Sequence, residues 1–135
     1  MDDIKYAVVC VDDDPYILQM LGFQLGKILD QKCTLLEYFT DPSEALLNID
    51  NLVAEKIDII FIIVDYHMPQ MTGAQLIRSI KEKYPSLKCV MLSGQANPVS
   101  VDSLVKDKLL DSFISKPWDE EVLFNAVRPI LENIH

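Results

Sequence analysis

Three consecutive aspartates, Asp12, Asp13 and Asp14, follow the charge-free run Tyr6-Ala7-Val8-Val9-Cys10-Val11. A fourth, Asp65, closes the stretch from Ile57 to Val64, which is apolar except for Asp58. Ser93-Gly94 follows the apolar residues Cys89 to Leu92, and Lys116-Pro117 follows Ser112 to Ser115. Clustered carboxylates repel one another, which raises their pKa values and costs stability unless a cation neutralises them. An oxygen-only set in an open site suits Mg²⁺ or Mn²⁺ better than zinc. A magnesium ion held by few carboxylates keeps positions for phosphate oxygens. A lysine and a hydroxyl suit the other oxygens of the same group. A carboxylate in the middle of such a set is a nucleophile toward phosphorus, and the product is an aspartyl-phosphate.

That chemistry requires the four segments to meet, and the hydrophobic pattern predicts that they do. The run at 6–11 reads as a strand buried on both faces. Asp14-Pro15 has the form of a helix cap with Pro at the first helical position, and Leu18, Leu21, Leu25, Ile28 and Leu29 follow at helical spacing. Cys33 to Phe39 predicts a second strand. Asp41-Pro42-Ser43-Glu44 has a capping-box form, with Ala45, Leu46, Ile49 and Val53 as the apolar stripe behind it. Ile57 to Val64 predicts the third strand, Gly73 to Tyr84 a helix stopped at Pro85, and Cys89 to Leu92 the fourth strand. A weaker helix over Val99 to Leu110 and a strand over Ser112 to Ser115 follow. Asp119 is expected to cap the last helix, which Pro129 is expected to kink or fray near Leu131. Five strand–helix repeats predict a parallel sheet covered on both faces. Ligands of such sheets bind beyond the carboxyl ends of the strands, where the acids, the serine and the lysine fall.

Composition narrows the classes. The 135 residues are 50% apolar and 24% charged, as expected of one globular domain. No unbroken apolar run is longer than Ile59 to Val64, which is far short of the about 20 residues that cross a bilayer. Met1-Asp2-Asp3-Ile4-Lys5 begins acidic and lacks the long apolar stretch of a signal peptide. Asp and Glu number 21 against 12 Lys and Arg, a net charge of −9, and only Arg78 and Arg128 are arginine. Nucleic-acid binding runs on clustered cations, so this domain is expected to bind none and no membrane. The three cysteines, Cys10, Cys33 and Cys89, lack CxxC spacing and a neighbouring histidine. They read as small buried hydrophobes in a reducing cytoplasm rather than zinc ligands or a disulfide framework.

The segments VDDDP (Val11 to Pro15), DYHMPQMTG (Asp65 to Gly73), LSG (Leu92 to Gly94) and SKPW (Ser115 to Trp118) resemble the receiver domain of bacterial two-component response regulators. The resemblance runs in order over the chain, with a core of about 5–131 within a single domain, 1–135. It implies a flavodoxin-like sheet of strand order 2-1-3-4-5. It implies that Asp65 is the phosphoacceptor and that Asp12 and Asp13 are the acidic pair, Asp13 being the more direct metal ligand. The Mg²⁺ would also be held by Asp65 and by the backbone carbonyl of His67. Ser93 corresponds to the switch hydroxyl, Gly94 to the small residue beside the phosphoryl group, and Lys116 to the lysine that pairs with it. Lys116-Pro117 corresponds to the family's cis peptide bond, and Phe113 to the aromatic residue that turns on activation. Asp14 is then only a helix cap.

The same resemblance implies a histidine kinase or histidine phosphotransfer protein as donor, and an output domain or downstream protein as receiver of the signal. The signalling surface would be the fourth helix, fifth strand and fifth helix, 99–131, and it allows a homodimer. The resemblance also implies that no independent substrate would be turned over. Some positions depart from the commonest pattern: Ser for Thr at 93, Gly for Ala at 94, and extra length at Asn51 to Lys56. His67 and Gln95 occupy the positions that tune dephosphorylation. Two other classes compete. A haloacid-dehalogenase-like phosphatase would use Asp12 and Asp14 as a D-x-D pair, but it needs further acids after the fourth strand, where Ser93-Gly94-Gln95 stands. A flavodoxin-like flavin binder needs a hydroxyl-rich phosphate loop where the three aspartates would repel the phosphate. A receiver that only binds proteins would have lost part of the acid, serine and lysine set, all of which is present.

Overall fold

The computed structural model describes residues 3–94 and 99–133. Five strands, β1 (Tyr6–Val11), β2 (Thr34–Phe39), β3 (Asp58–Asp65), β4 (Cys89–Ser93) and β5 (Ser112–Ser115), alternate with five helices. The helices are α1 (Pro15–Leu25), α2 (Pro42–Ala54), α3 (Gly73–Lys83), α4 (Val99–Lys106) and α5 (Glu120–Glu132). The strands are all parallel in the order β2-β1-β3-β4-β5. This is the doubly wound α/β sheet expected from the alternation of strand and helix patterns.

The near-continuous apolar runs of the strands have a simple cause: both faces of the sheet are covered. Ala7, Val9 and Val11 pack with Ala45, Ile49, Leu76, Ile77, Ile80 and Leu104 on the α2/α3/α4 side. Val8 and Cys10 pack with Leu18, Leu21, Leu25, Leu123 and Val127 on the α1/α5 side. Phe61, fully buried on that second side, is the largest of the fully buried side chains. Truncating such a residue to alanine costs about 3–5 kcal/mol.

One irregularity in β3 sets the site. Ala7 pairs with Ile59 but Val8 pairs with Phe61, so Ile60 has no partner on β1. Ile60 and Phe61 consequently both face the α1/α5 core, while Ile59 and Ile62 face the other. A one-residue slip exchanges the faces of every residue beyond it. Past the slip, Val11 pairs with Val64, which brings Asp12 level with Asp65.

Several element ends differ from the sequence-based expectation. On α2 the buried residue is Leu52, whereas Val53 is exposed, because the helix rests on the sheet through Pro42, Ala45, Ile49 and Leu52. Helix α4 stops at Lys106, with a left-handed turn at Lys108, rather than at Leu110. Asp119 makes no side-chain cap bond; Glu120 and Glu121 supply the negative charge that the first turn of α5 favours. Pro129 lies inside α5, which continues to Glu132. Cys10 and Cys89 are buried, but Cys33 precedes β2 and is only half-buried. No helix among the described residues is long and apolar enough to cross a membrane.

Candidate functional site

Asp12 leaves β1 at the carboxyl edge of the sheet and is fully buried. Its Oδ1 accepts the Asp14 backbone N–H at 2.9 Å, and its Oδ2 accepts from Nζ of Lys116 at 3.0 Å. The same Nζ lies 2.9 Å from Oδ1 of Asp65, the last residue of β3 and also buried. One ammonium therefore bridges two carboxylates that the β1–β3 register has set side by side. The alternation of side chains along a strand explains the convergence. Asp12, Asp65 and Lys116 continue the phase of Cys10, Ile63 and Ile114, which all face the α1/α5 side.

The electrostatics are those of a site short of positive charge. Burial pushes the Asp12 carboxyl up to about 6, with a further upward push from Asp65, and the Asp14 N–H and Lys116 offset only part of this. Asp65 is also raised, first by burial and then by the charge of Asp13, against the pull of Lys116. Burial alone would lower the Lys116 ammonium, but its bonds to Asp65 and Asp12 outweigh that and hold it above its ordinary value.

Asp13 differs from Asp12 in being exposed, and no described residue donates a hydrogen bond to its carboxylate. Asp12, Asp13 and Asp65 can each offer one oxygen within 4.8 Å of the others. This donor set fits a hard divalent cation: all oxygen, net negative, with one member open to solvent. Asp14, by contrast, is turned to another task. Its Oδ1 accepts the Tyr16 N–H at 2.9 Å and caps α1. Its own N–H holds Asp12, a local bond of the i, i+2 kind that Asp residues favour.

Ser93 ends β4 and is buried, and its carbonyl accepts the Lys116 N–H at 2.8 Å. It continues the phase of Cys89 and Met91, so it faces the α2/α3/α4 side with Phe113, whose backbone pairs with Met91. A side chain added at Gly94 would meet open space. His67 is exposed, and its ring stands edge-on to that of Tyr66. Gln95 lies outside the described residues. The Lys116–Pro117 bond is cis. Two features of the site were not read from the sequence. The Gly73 N–H donates to the Tyr66 carbonyl at 2.8 Å, and a Cβ at 73 would collide with the carbonyl oxygen of Asp65. The Trp118 indole N–H donates to Oε1 of Gln24 on α1 at 2.8 Å. The first could be suspected from the lone glycine after Thr72; the second joins residues too far apart in sequence for any local signal.

Residues 8–128 match the family described as "Response regulator receiver domain". Over 133 residues, 98% of the chain, the sequence is 27% identical to the response regulator protein TmoT of Ectopseudomonas mendocina, of which it covers 56%. It is 25% identical over the same share to the hydrogenase transcriptional regulatory protein HoxA of Cupriavidus necator, of which it covers 25%. The chain thus spans between a quarter and about half the length of these relatives. Among solved structures, the signal receiver domain of an HD domain-containing protein from Pseudomonas fluorescens Pf-5 superposes with a TM-score of 0.78. It is 28% identical, and the match covers 95% of each chain.

Proposed function

Because the chain belongs to the response regulator receiver domain family, we propose that it accepts a phosphoryl group on Asp65 from a histidine kinase or a histidine phosphotransfer protein. Receiver domains are signalling domains of two-component systems rather than classical enzymes, and an aspartyl-phosphate formed with Mg²⁺ is general to the family. The observation that carries the reading is the position of Asp65. It stands at the end of the central strand, beside two further acids, with the Lys116 ammonium 2.9 Å from its carboxylate.

A carboxylate oxygen of Asp65 attacks phosphorus, the phosphorus–nitrogen bond of the donor breaks, and its electron pair leaves with the imidazole. Mg²⁺ held by Asp12, Asp13, Asp65 and the His67 carbonyl, or Mn²⁺ in its place, would neutralise charge on the transferring oxygens. Asp13 would be its most direct ligand, since Asp12 is already engaged through both oxygens. Lys116 is placed to exchange a carboxylate contact for a phosphoryl oxygen, and the open space at Gly94 receives the group. His67 and Gln95 tune how fast water removes it.

The new group brings close to two negative charges to the sheet edge. Lys116 answers by charge and Ser93 by hydrogen bond. Movement of Ser93 vacates space on the α2/α3/α4 side, which Phe113 fills by turning inward. The surface that changes is α4–β5–α5, 99–131, and it engages an output domain, a downstream protein or a second copy of the chain. The receiver unit is 1–135 with a core of 5–131, and it works in the cytoplasm without contacting nucleic acid itself. In the test, a small phosphodonor with Mg²⁺ adds one acid-stable, hydroxylamine-labile phosphoryl group, and Asp65→Asn adds none. A group labile in acid and stable in base would be a phosphohistidine and would refute the assignment.

A further inference from the structure

The lysine that bridges Asp12 and Asp65 is carried by a short segment fixed at two points. On one side, the Lys116 N–H is bonded to the Ser93 carbonyl, which fastens it to β4. On the other, two residues on, the half-buried Trp118 ring packs on the α1/α5 core, and its Nε1–H donates to Gln24 on α1 at 2.8 Å. Between these anchors Pro117 is exposed. The helix that supplies Gln24 is the one capped by Asp14, next to the acidic pair. A closed circuit results: acids, α1, Gln24, Trp118, Lys116, acids. A second tie, Lys27 to Glu120 at 2.7 Å, joins the turn after α1 to the start of α5, but it is largely exposed and so contributes little.

From this circuit we propose that Trp118 is a positioning residue: through its bond to Gln24 it holds the Lys116 ammonium where a phosphoryl group on Asp65 would need it. The proposal rests on the phosphoacceptor reading above. Packing alone would need only the apolar body of the ring. A half-buried indole N–H that has found an acceptor adds direction, since it fixes the ring and the backbone behind it in one orientation. Mg²⁺ binding draws on the acids and not on the lysine, so the two affinities should separate.

The test measures two dissociation constants, for Mg²⁺ alone and for the phosphoryl mimic beryllofluoride in saturating Mg²⁺. The parent is compared with Trp118→Phe, Gln24→Leu and Gln24→Glu. Trp118→Phe keeps an aromatic body without the donor, Gln24→Leu removes the acceptor, and Gln24→Glu keeps an acceptor oxygen. Trp118→Phe and Gln24→Leu should each weaken beryllofluoride by about tenfold. Both should leave Mg²⁺ within about twofold, and the double variant should be no worse than the weaker single. Gln24→Glu should stay near the parent. Trp118 is the sole tryptophan, so its indole proton gives one isolated NMR signal. That proton should exchange with solvent faster in Gln24→Leu than in the parent or Gln24→Glu. The two substitutions lie on different segments, α1 and the connection from β5 to α5, so misfolding of one leaves the other as the test. Beryllofluoride binding unchanged in both variants, or lost in step with Mg²⁺, overturns the proposal. A parent that binds Mg²⁺ but no beryllofluoride fails the phosphoacceptor reading itself and takes this inference with it.

Discussion

Among the lysines that pair with aspartates, Lys83 and Lys116 have opposite surroundings. Lys83, near the end of α3, reaches both oxygens of Asp50 on α2, at 3.1 and 3.0 Å. The Tyr84 hydroxyl donates to the same carboxylate. The hydroxyl first, and the lysine with it, hold the Asp50 carboxyl below its ordinary value. One acid there has two donors. At the sheet edge, one ammonium serves two buried acids while a third stands within ligand range. Burial wins, and Asp12 and Asp65 are held above their ordinary values. The surface pair ties α2 to α3. The edge cluster keeps its deficit of positive charge, which is what a cation and a phosphoryl transfer can use.

The sharpest way to break the contrast is to remove each lysine. Lys116→Met leaves Asp12 and Asp65 buried together without their cation, and should cost about 3 kcal/mol of metal-free stability in urea unfolding near neutral pH. Saturating Mg²⁺ should restore much of that loss, because it binds the native state alone. Unchanged metal-free stability would mean that the ammonium is not what makes the acids tolerable.

Asp13→Asn should weaken Mg²⁺ by about tenfold or more, the equivalent of roughly 1.4 kcal/mol, while Asp14→Asn leaves the affinity nearly unchanged. Calorimetric titration distinguishes them, and the reverse ranking would exchange their roles. Asp13→Asn should also raise metal-free stability, by removing charge that opposes the ionisation of Asp65.

Titration sharpens the same point. The folded Asp12 carboxyl sits at about 6 against an ordinary 3.8, so the folded state holds its proton more tightly than the unfolded chain. This is the reverse of the usual paired carboxylate. The contribution of Asp12 to stability is most favourable below its unfolded pKa and is lost as pH rises through about 6. A divalent cation competes with that proton. Mg²⁺ binding should therefore tighten as pH rises through about 6 and then level off; a flat profile from pH 5 to 7.5 would contradict the shift.

Asp50→Asn should have the smallest effect, opposite in sign to that of Asp13→Asn on metal-free stability. Melting should show slightly lower stability, with Mg²⁺ affinity and phosphorylation unchanged. A response at the sheet edge would mean that the two clusters are coupled across the molecule.

The features legible in the sequence were those with local causes. Buried strands announce themselves by unbroken apolar runs, and the residues just after them were therefore placed at one edge. The caps at Asp14 and Asp41 bond residues two positions away. The features that escaped depend on contacts between distant segments. Leu52 rather than Val53 is buried because of where α2 lies on the sheet. The slip at Ile60 is set by pairing with β1, and no residue type in Ile59-Ile60-Phe61 signals it. Nothing in the sequence around Trp118 points to Gln24; only the fold supplies it as the acceptor of the indole N–H. The acids and the lysine were legible as residues, but the bridge from Lys116 to both carboxylates required the register.

The central claim is that Asp65 takes the phosphoryl group. The most direct measurement is to phosphorylate the protein with a small donor and Mg²⁺, reduce the acyl phosphate with borohydride, and locate the altered residue by peptide mass spectrometry. A single reduced aspartate at position 65, absent without Mg²⁺, is the predicted result. Reduction at Asp12 or Asp13 instead, or at no aspartate while Mg²⁺ binds, would contradict it.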